Sequence, residues 1–473
     1  MPETSAARRA IRDRPARFLH RLHFYAGLMV GPFLLVAAIS GAFYALAPTV
    51  EKVVYADLLT VDAAPHSVSV GEQVEAAAAT SPGSSVAQIW PAHDPGDTTR
   101  VLFDDPSSTD KTLPAAFVDP ATAAVVGKER TYSGLGELPV RRWLSGLHQH
   151  LHLGEPGELY AELAASWLWV LALGGLYLWW RRVSAARRRD PGIRTRLWRA
   201  APAPQGDAGR RRRSLNLHAV LGVWLMVAIL GLSATGITWS QKAGANVDAV
   251  VSALDWKALK VDAALPPGSP GAVQADSSAS AVSAQSDRVI AAARAEGLTG
   301  PLVLRPPAEA GEGWRVSERW VAWRTASDSI VVDGADGRVA SRQPFAELPF
   351  FSKLSSWGIY LHMGIMFGLP LQLALFAAGV GIVVIIVLGY RMWWLRRPTA
   401  RGTSVPGLPD SPSWRIVAGV VVFAATVGAF LPLLGISLIG FLLLDLVLIG
   451  RSRARRRAVE KQLEAAVLSG GTP

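Results

Sequence analysis

Runs of apolar residues about 20 long, enough to cross a hydrocarbon core as helices, alternate with polar stretches along this chain. They fall at residues 18–47, 159–180, 215–240, 369–394, 414–431 and 433–449. The last two meet at Leu431-Pro432-Leu433, as one bent hairpin or as a shallower re-entrant pair. Between the first and second runs, and again between the third and fourth, the pattern turns to short alternating segments punctuated by turn residues. In the first of these regions a helix is predicted over 70–80 and strands over 87–90, 99–103, 116–118 and 123–126, with a turn at Asp119-Pro120-Ala121-Thr122. In the second, residues 264–283 are a Pro/Ser/Ala/Gly loop, 286–296 a helix, and 302–305, 314–317, 321–324 and 329–332 strands, with a hairpin turn at Asp333-Gly334-Ala335-Asp336-Gly337. The pattern predicts a polytopic α-helical membrane protein with two small external α+β domains and a C-terminal helical hairpin.

The chain is written twice. Trp143, His148, Gly154, Pro156, Gly175, Trp179 and Trp180 recur as Trp357, His362, Gly368, Pro370, Gly389, Trp393 and Trp394, at a constant offset of 214 (362 − 148 = 394 − 180). His23, Gly27, Ser40 and Gly41 match His218, Gly222, Thr235 and Gly236 at an offset of 195 (218 − 23 = 236 − 41). Each half therefore reads as span, external domain, span. Both leading spans run in the same direction, so the halves are expected to be parallel repeats about an axis along the membrane normal. The order that results is a basic N-terminus (1–17), first span (18–47), external domain (48–157), second span (158–182), linker (183–214), third span (215–240), external domain (241–357), a histidine segment with the fourth span (358–395), loop (396–413), hairpin (414–450) and basic tail (451–473).

Charge sets the orientation. The net charge is +11, but the basic residues concentrate beside spans, at 8–21, 181–213, 391–401 and 451–461. Six crossings with both termini in the cytoplasm put all four clusters inside, as the positive-inside bias requires, and argue against nucleic-acid binding. Ala45-Leu46-Ala47 resembles a signal-peptidase site. Its apolar run is longer than a signal peptide needs, and the repeat partner is internal, so no cleavage is expected. The chain has no cysteine, which excludes disulfides, thiol catalysis and thiolate-held clusters. Asp445, near the end of the last span, is close enough to the inner surface to snorkel, and the sequence assigns it no role.

Of nine histidines, His66 and His93 lie in external loops without a partner pattern. The other seven sit at span ends. His20, His23 and His218 open spans at the cytoplasmic face; His148, His150, His152 and His362 precede spans at the outer face, roughly 30 Å away across the hydrocarbon core. Such residues are either interfacial histidines or ligands, and their recurrence at fixed distances from Gly, Pro and Trp-Trp marks favours ligands. Two imidazoles per leaflet, facing one another across a helix bundle, suit a b-type haem with both axial positions filled. Zinc asks for more ligands than the sparse nearby carboxylates Glu155, Glu158 and Glu162 supply. The expected pairs are His23 with His218 and His148 with His362. His20 is the rival of His23 and His152 of His148, each one turn away; His150 points elsewhere on a helix. Small residues along the first and third spans (Gly27, Gly31, Gly41; Gly222, Gly231, Gly236) permit either close helix packing or room for a flat macrocycle.

Leu22-His23 with Gly27 and Ser40-Gly41, Leu217-His218 with Gly222 and Thr235-Gly236, Leu361-His362-Met363-Gly364 with Phe367-Gly368, the terminal Trp-Trp-Arg-Arg and Trp-Trp-Leu-Arg-Arg, and the two Asp turns together resemble the PepSY-associated transmembrane family of bacterial inner-membrane proteins, often called iron-regulated membrane proteins, over roughly residues 15–400. Two departures stand out: the expanded His148-Gln149-His150-Leu151-His152 and the extra apolar tail 414–449. The resemblance implies PepSY-like external domains, two haems b held by His23, His218, His148 and His362, and one-electron reduction of ferric siderophores or other ferric chelates at the outer face. No Gly-rich dinucleotide fingerprint occurs in the inner loops, so the electron donor is expected to be the quinone pool or a flavin or NAD(P)H partner. From another class, a non-enzymatic regulator whose PepSY-like domains bind peptides or envelope peptidases predicts no cofactor. A metal or siderophore transporter would want a polar path, and the span centres are apolar.

Overall fold

A computed structural model describes residues 3–109, 111–132, 134–189, 207–257, 261–273, 276–395 and 414–468. The loop expected at 396–413, most of the linker and the last tail residues lie outside the described residues. In chain order the helices are α1 (Glu3–Val54), α2 (Ala56–Leu59), α3 (Val70–Ala79), α4 (Pro139–His150), α5 (Glu155–Arg189), α6 (Asp207–Trp224), α7 (Met226–Thr238), α8 (Lys242–Ala253), α9 (Ala279–Ala295), α10 (Phe350–His362), α11 (Gly368–Trp394), α12 (Trp414–Phe430) and α13 (Pro432–Leu468). The strands are β1 (Val86–Trp90), β2 (Thr99–Phe103), β3 (Thr112–Val118), β4 (Val125–Tyr132), β5 (Leu302–Arg305), β6 (Trp314–Glu318), β7 (Ser329–Val332) and β8 (Val339–Gln343). The chain divides into two compact units: Met1–Ile39, Gln149–Val250 and Ala378–Pro473 form one, Ser40–His148 and Val251–Ala377 the other.

Helices dominate the first unit. Ala16–Val54, Glu155–Arg188, Gly368–Trp394 and Pro432–Arg451 are long and apolar enough to cross a membrane, and a third or less of each apolar window is covered by protein. Side chains that are apolar yet uncovered require lipid as their solvent. The third expected span is not one straight helix: Gly209–Trp224 and Met226–Thr238 meet at 64°. The break is at Leu225, whose backbone relaxes to ψ 1°. Of the expected pair 414–431 and 433–449, the second is a span among the described residues; α12 has 17 residues, about 26 Å of helix, and its described apolar part is Val421–Phe430. The two helices touch backbone to backbone, since a Cβ on Gly428 would lie 2.9 Å from the Gly435 Cα. Asp445 does not snorkel. It is buried and receives two hydrogen bonds from Arg21, at 2.8 and 3.0 Å.

The second unit is built on one antiparallel sheet of eight strands, ordered β4-β3-β2-β1-β5-β6-β7-β8. The two external modules expected from the sequence thus share a single sheet, joined where Ile89 of β1 pairs with Leu304 of β5. Alternation along the strands explains two cores. Val101, Phe103, Ala116 and Val118 point into the layer of α3 and α9, while Leu102, Ala115 and Phe117 point to the opposite face with Trp90 and Leu138. Both Asp turns form as read: the Asp119 carboxylate accepts from Ala121 N at 2.9 Å and that of Asp333 from Ala335 N at 2.8 Å.

Three expectations need correction. Residues 321–324 are a turn, not a strand: Trp323 adopts φ 68° and its N–H donates to the Met366 carbonyl at 2.7 Å. Helix α9 starts inside the stretch read as loop, because Ser278 caps it through Ala281 N. β4 runs on to Tyr132 and β8 was not read at all; both are edge strands, whose polar, exposed positions mask the apolar alternation.

Helix α3 is held at its start by a capping box between Ser69 and Glu72 and by Asp287 of α9, which accepts from Val70 N at 2.8 Å and Gly71 N at 3.0 Å. Gly71 permits this approach, since a Cβ there would meet the Ser283 carbonyl oxygen at 2.6 Å. Asp287→Ala is expected to destabilise this unit by about 1 kcal/mol, measured as a lowered denaturation midpoint with the near-ultraviolet spectrum of the folded state unchanged.

Candidate functional site

The first turn of the membrane-crossing part of α1 sorts its side chains onto two faces. At 100° per residue, His20, His23, Phe24, Gly27 and Gly31 fall on one face, and all five line a cavity of about 740 Å³ in the first unit. His218 of α6 enters the same cavity. The His23 and His218 rings have centroids 6.2 Å apart and planes at 88°. Nδ1 of His218 lies 2.9 Å from the carbonyl oxygen of Ile385, so this nitrogen carries the proton and Nε2 keeps a free lone pair. The Leu171 carbonyl, 214 positions earlier, faces His23, but not in hydrogen-bonding alignment, and Nδ1 of His23 is buried without a partner. A glycine lies beside each ring: a Cβ on Gly175 would stand 3.2 Å from Cε1 of His23, and one on Gly389 would stand 3.9 Å from Cε1 of His218. The walls are apolar, with Trp179, Tyr390 and Trp393, and Arg17, Arg181, Arg182 and Arg211 complete the lining. His20 lines the cavity as well, so the rival of His23 shares the site without forming the facing pair.

The second unit holds the other pair. His148 and His362 also have centroids 6.2 Å apart, with planes at 57°. Ser40, buried on α1, places its hydroxyl 3.1 Å from Nδ1 of His148. Gly41 beside it is the only residue type that fits, because a Cβ would lie 2.9 Å from Cε1 of His148. His362 ends α10, six residues before the span that begins at Gly368, and burial followed by the adjacent His148 holds its pKa down to about 3. It is neutral throughout the physiological range. The rivals are elsewhere: the His150 and His152 rings meet edge to face at 5.7 Å, Leu151 and His152 being in left-handed backbone at the turn after α4. His66 and His93 are exposed, as expected.

Sequence reasoning did not find what aims His148. Two turns before it on α4, Arg141 is buried between Glu51, at 3.7 Å, and Glu137, at 3.5 Å. Tyr44, one turn after Ser40 on α1, donates to Glu137 at 2.5 Å, and Glu51 accepts from Leu138 N. Arg141, Glu51 and Glu137 are ionisable and buried side by side, and mutual pairing is what offsets that cost. The network ties α4 to the end of α1 and with it orients His148. The isolated signal available in the sequence was Glu51 and Arg141, two charges at the ends of apolar stretches.

Among the described residues no group of three or more His, Asp or Glu side chains could hold a metal ion on its own. The arrangement offers two facing imidazoles, twice. No curated protein matches the chain. Residues 20–396 match the family described as the PepSY-associated TM region, and the chain belongs to that family, as a multi-pass membrane protein.

Proposed function

We propose that this protein is a dihaem b-type electron carrier of the bacterial inner membrane that reduces ferric siderophores or other ferric chelates at its outer face. The carrying observation is the equal spacing of two imidazole pairs, 6.2 Å between centroids in each. An imidazole nitrogen binds a metal at about 2.0 Å, so two rings spaced this closely could share one iron between them. The cavity between His23 and His218 supports the same reading: its apolar, glycine-relieved walls suit a macrocycle, and its four arginines suit the carboxylates at the edge of one.

Bound haem supplies reversible one-electron chemistry at iron. The chain does the rest. His23 and His218 would hold the inner group, His148 and His362 the outer one. The Ile385 carbonyl and the Ser40 hydroxyl, each at a ring Nδ1, fix ring orientation and leave Nε2 as the nitrogen that would hold the group. Gly41, Gly175 and Gly389 keep space beside the rings. Hard oxygen donors bind ferric iron far better than ferrous iron, so delivery of one electron at the outer face loosens the chelate without acid–base catalysis. The donor is the quinone pool or a flavin or NAD(P)H partner. In this reading the two halves are parallel repeats, α12 returns the chain so that α13 ends inside, and both termini are cytoplasmic, next to the basic stretch that starts at Arg451.

The test is an absorption spectrum of the purified protein, air-oxidised and then dithionite-reduced, with pyridine haemochrome quantitation. About two haems b per chain are expected, reoxidised on adding a ferric chelate. A colourless protein after expression with ample haem would remove this reading and leave the peptide-binding regulator.

A further inference from the structure

The α12–α13 hairpin lies beyond the residues matched by the family, 20–396. Its contacts reveal what it does. On α1 the face opposite the histidines carries Phe18, Arg21, Leu22 and Tyr25; Arg21 and His23 are two residues apart and so point about 200° apart around the axis. That face belongs to α13. Phe441 sits between Phe18 and Tyr25, 6.0 Å from each ring, and Leu22, Ala26 and Val30 pack in one cluster with Leu434 and Leu438. One turn beyond Phe441, Arg21, 2% exposed, makes its bidentate pair with Asp445. Further along, the Trp167 indole donates to Ser437 at 2.9 Å and the Asn246 amide to the Phe430 carbonyl at 2.9 Å, so the hairpin is anchored at both of its ends.

We propose that Arg21 and Asp445 are positioning residues: their pair sets the rotation and depth of α1 and thereby aims His23 into the cavity, making the added hairpin a tuning element for the inner site. The inference rests on the reading of His23 as a haem ligand. The physical argument is one of geometry and cost. An apolar contact alone lets a helix slide or turn by part of a residue, whereas a planar guanidinium bound through two nitrogens to one carboxylate admits a single register. An arginine left unpaired in an apolar layer is driven toward the headgroups, and on a helix that motion turns or drops the whole segment.

The chain has no cysteine, so a single introduced thiol reports without background. Gly27 faces the cavity, and a Cβ there meets no other part of the chain within 4 Å, so Gly27→Cys serves as a labelling probe of how α1 is turned. The purified full chain carrying Gly27→Cys is labelled with a small maleimide, alone, with Asp445→Asn, and with the exchange Arg21→Asp/Asp445→Arg. Ferric EPR and redox titration are run on a parallel set that keeps Gly27. Asp445→Asn is expected to slow the labelling several-fold and to shift the EPR signal and midpoint potential of one haem only, and the exchanged pair is expected to restore all three. Unchanged labelling in Asp445→Asn overturns the inference, and so does an equal shift of both haems. If the wild-type protein is colourless, the haem reading fails by itself. The labelling rates then still decide whether the pair positions α1.

Discussion

His218→Ala is expected to lower the haem content from about two per chain to about one and to abolish electron transfer to an external ferric chelate, while the protein still inserts and folds. His218 and His23 face each other with planes at 88°, the outer pair at 57°. Near-perpendicular axial imidazoles give the more anisotropic low-spin ferric signal, so EPR identifies which haem is lost. His23→Ala is expected to remove the same signal, and His148→Ala or His362→Ala the other. His20→Ala and His152→Ala are expected to keep both, because neither has a repeat partner in the other half, His152 meeting only His150 beside it in the chain. His218→Met tests the ligand role more finely: one axial thioether should preserve the haem and raise its potential. Retention of two haems and of both signals in all four alanine variants would end the bis-histidine assignment.

Arg141→Ala is expected to be the most damaging substitution outside the histidines, destabilising the unit that carries the sheet by about 3–5 kcal/mol. Removing the guanidinium leaves Glu51 and Glu137 buried, close together and without a cation between them. Their mutual repulsion and lost solvation exceed anything that the deleted packing costs. Thermal unfolding followed by tryptophan fluorescence measures the loss. Since the same network orients α4, the outer haem signal should broaden or vanish before the inner one changes. The paired variant Glu137→Gln/Arg141→Met, which removes a charge of each sign, is expected to recover much of the stability, because breaking a buried pair is costlier than replacing it. Equal damage from the single and paired variants would show that volume, not charge, governs this site.

How much of this was legible in the chain varied with the range of the interaction. The Asp119 and Asp333 turns were readable because an Asx carboxylate bonds to backbone two residues on, within one short segment. Helix α3 was readable for the same reason, its capping box spanning Ser69 to Glu72. The strand expected at 321–324 failed because Trp323 is held by Met366, forty-three residues away, and local pattern carries no trace of that bond. Edge strands β4 and β8 were short-changed for a related reason: only a neighbour in the sheet, not their own polar sequence, makes them strands.

The sequence by itself determined the membrane class, the apolar runs, the doubling of the chain and the four histidines that repeat within it, because hydropathy and spacing are properties of the chain alone. It also ranked His23 and His148 over His20 and His152, through repeat partners rather than through space. Only the tertiary structure decided that the imidazoles meet in two pairs at 6.2 Å, that both external modules share one sheet, that Ser40 supports His148, and that Asp445 pairs with Arg21 instead of reaching for the surface. The reason is common to all four. Each is set by the angle and depth at which distant elements pack, and a charge such as Asp445 looks the same in the sequence whether water or a guanidinium 424 residues away satisfies it.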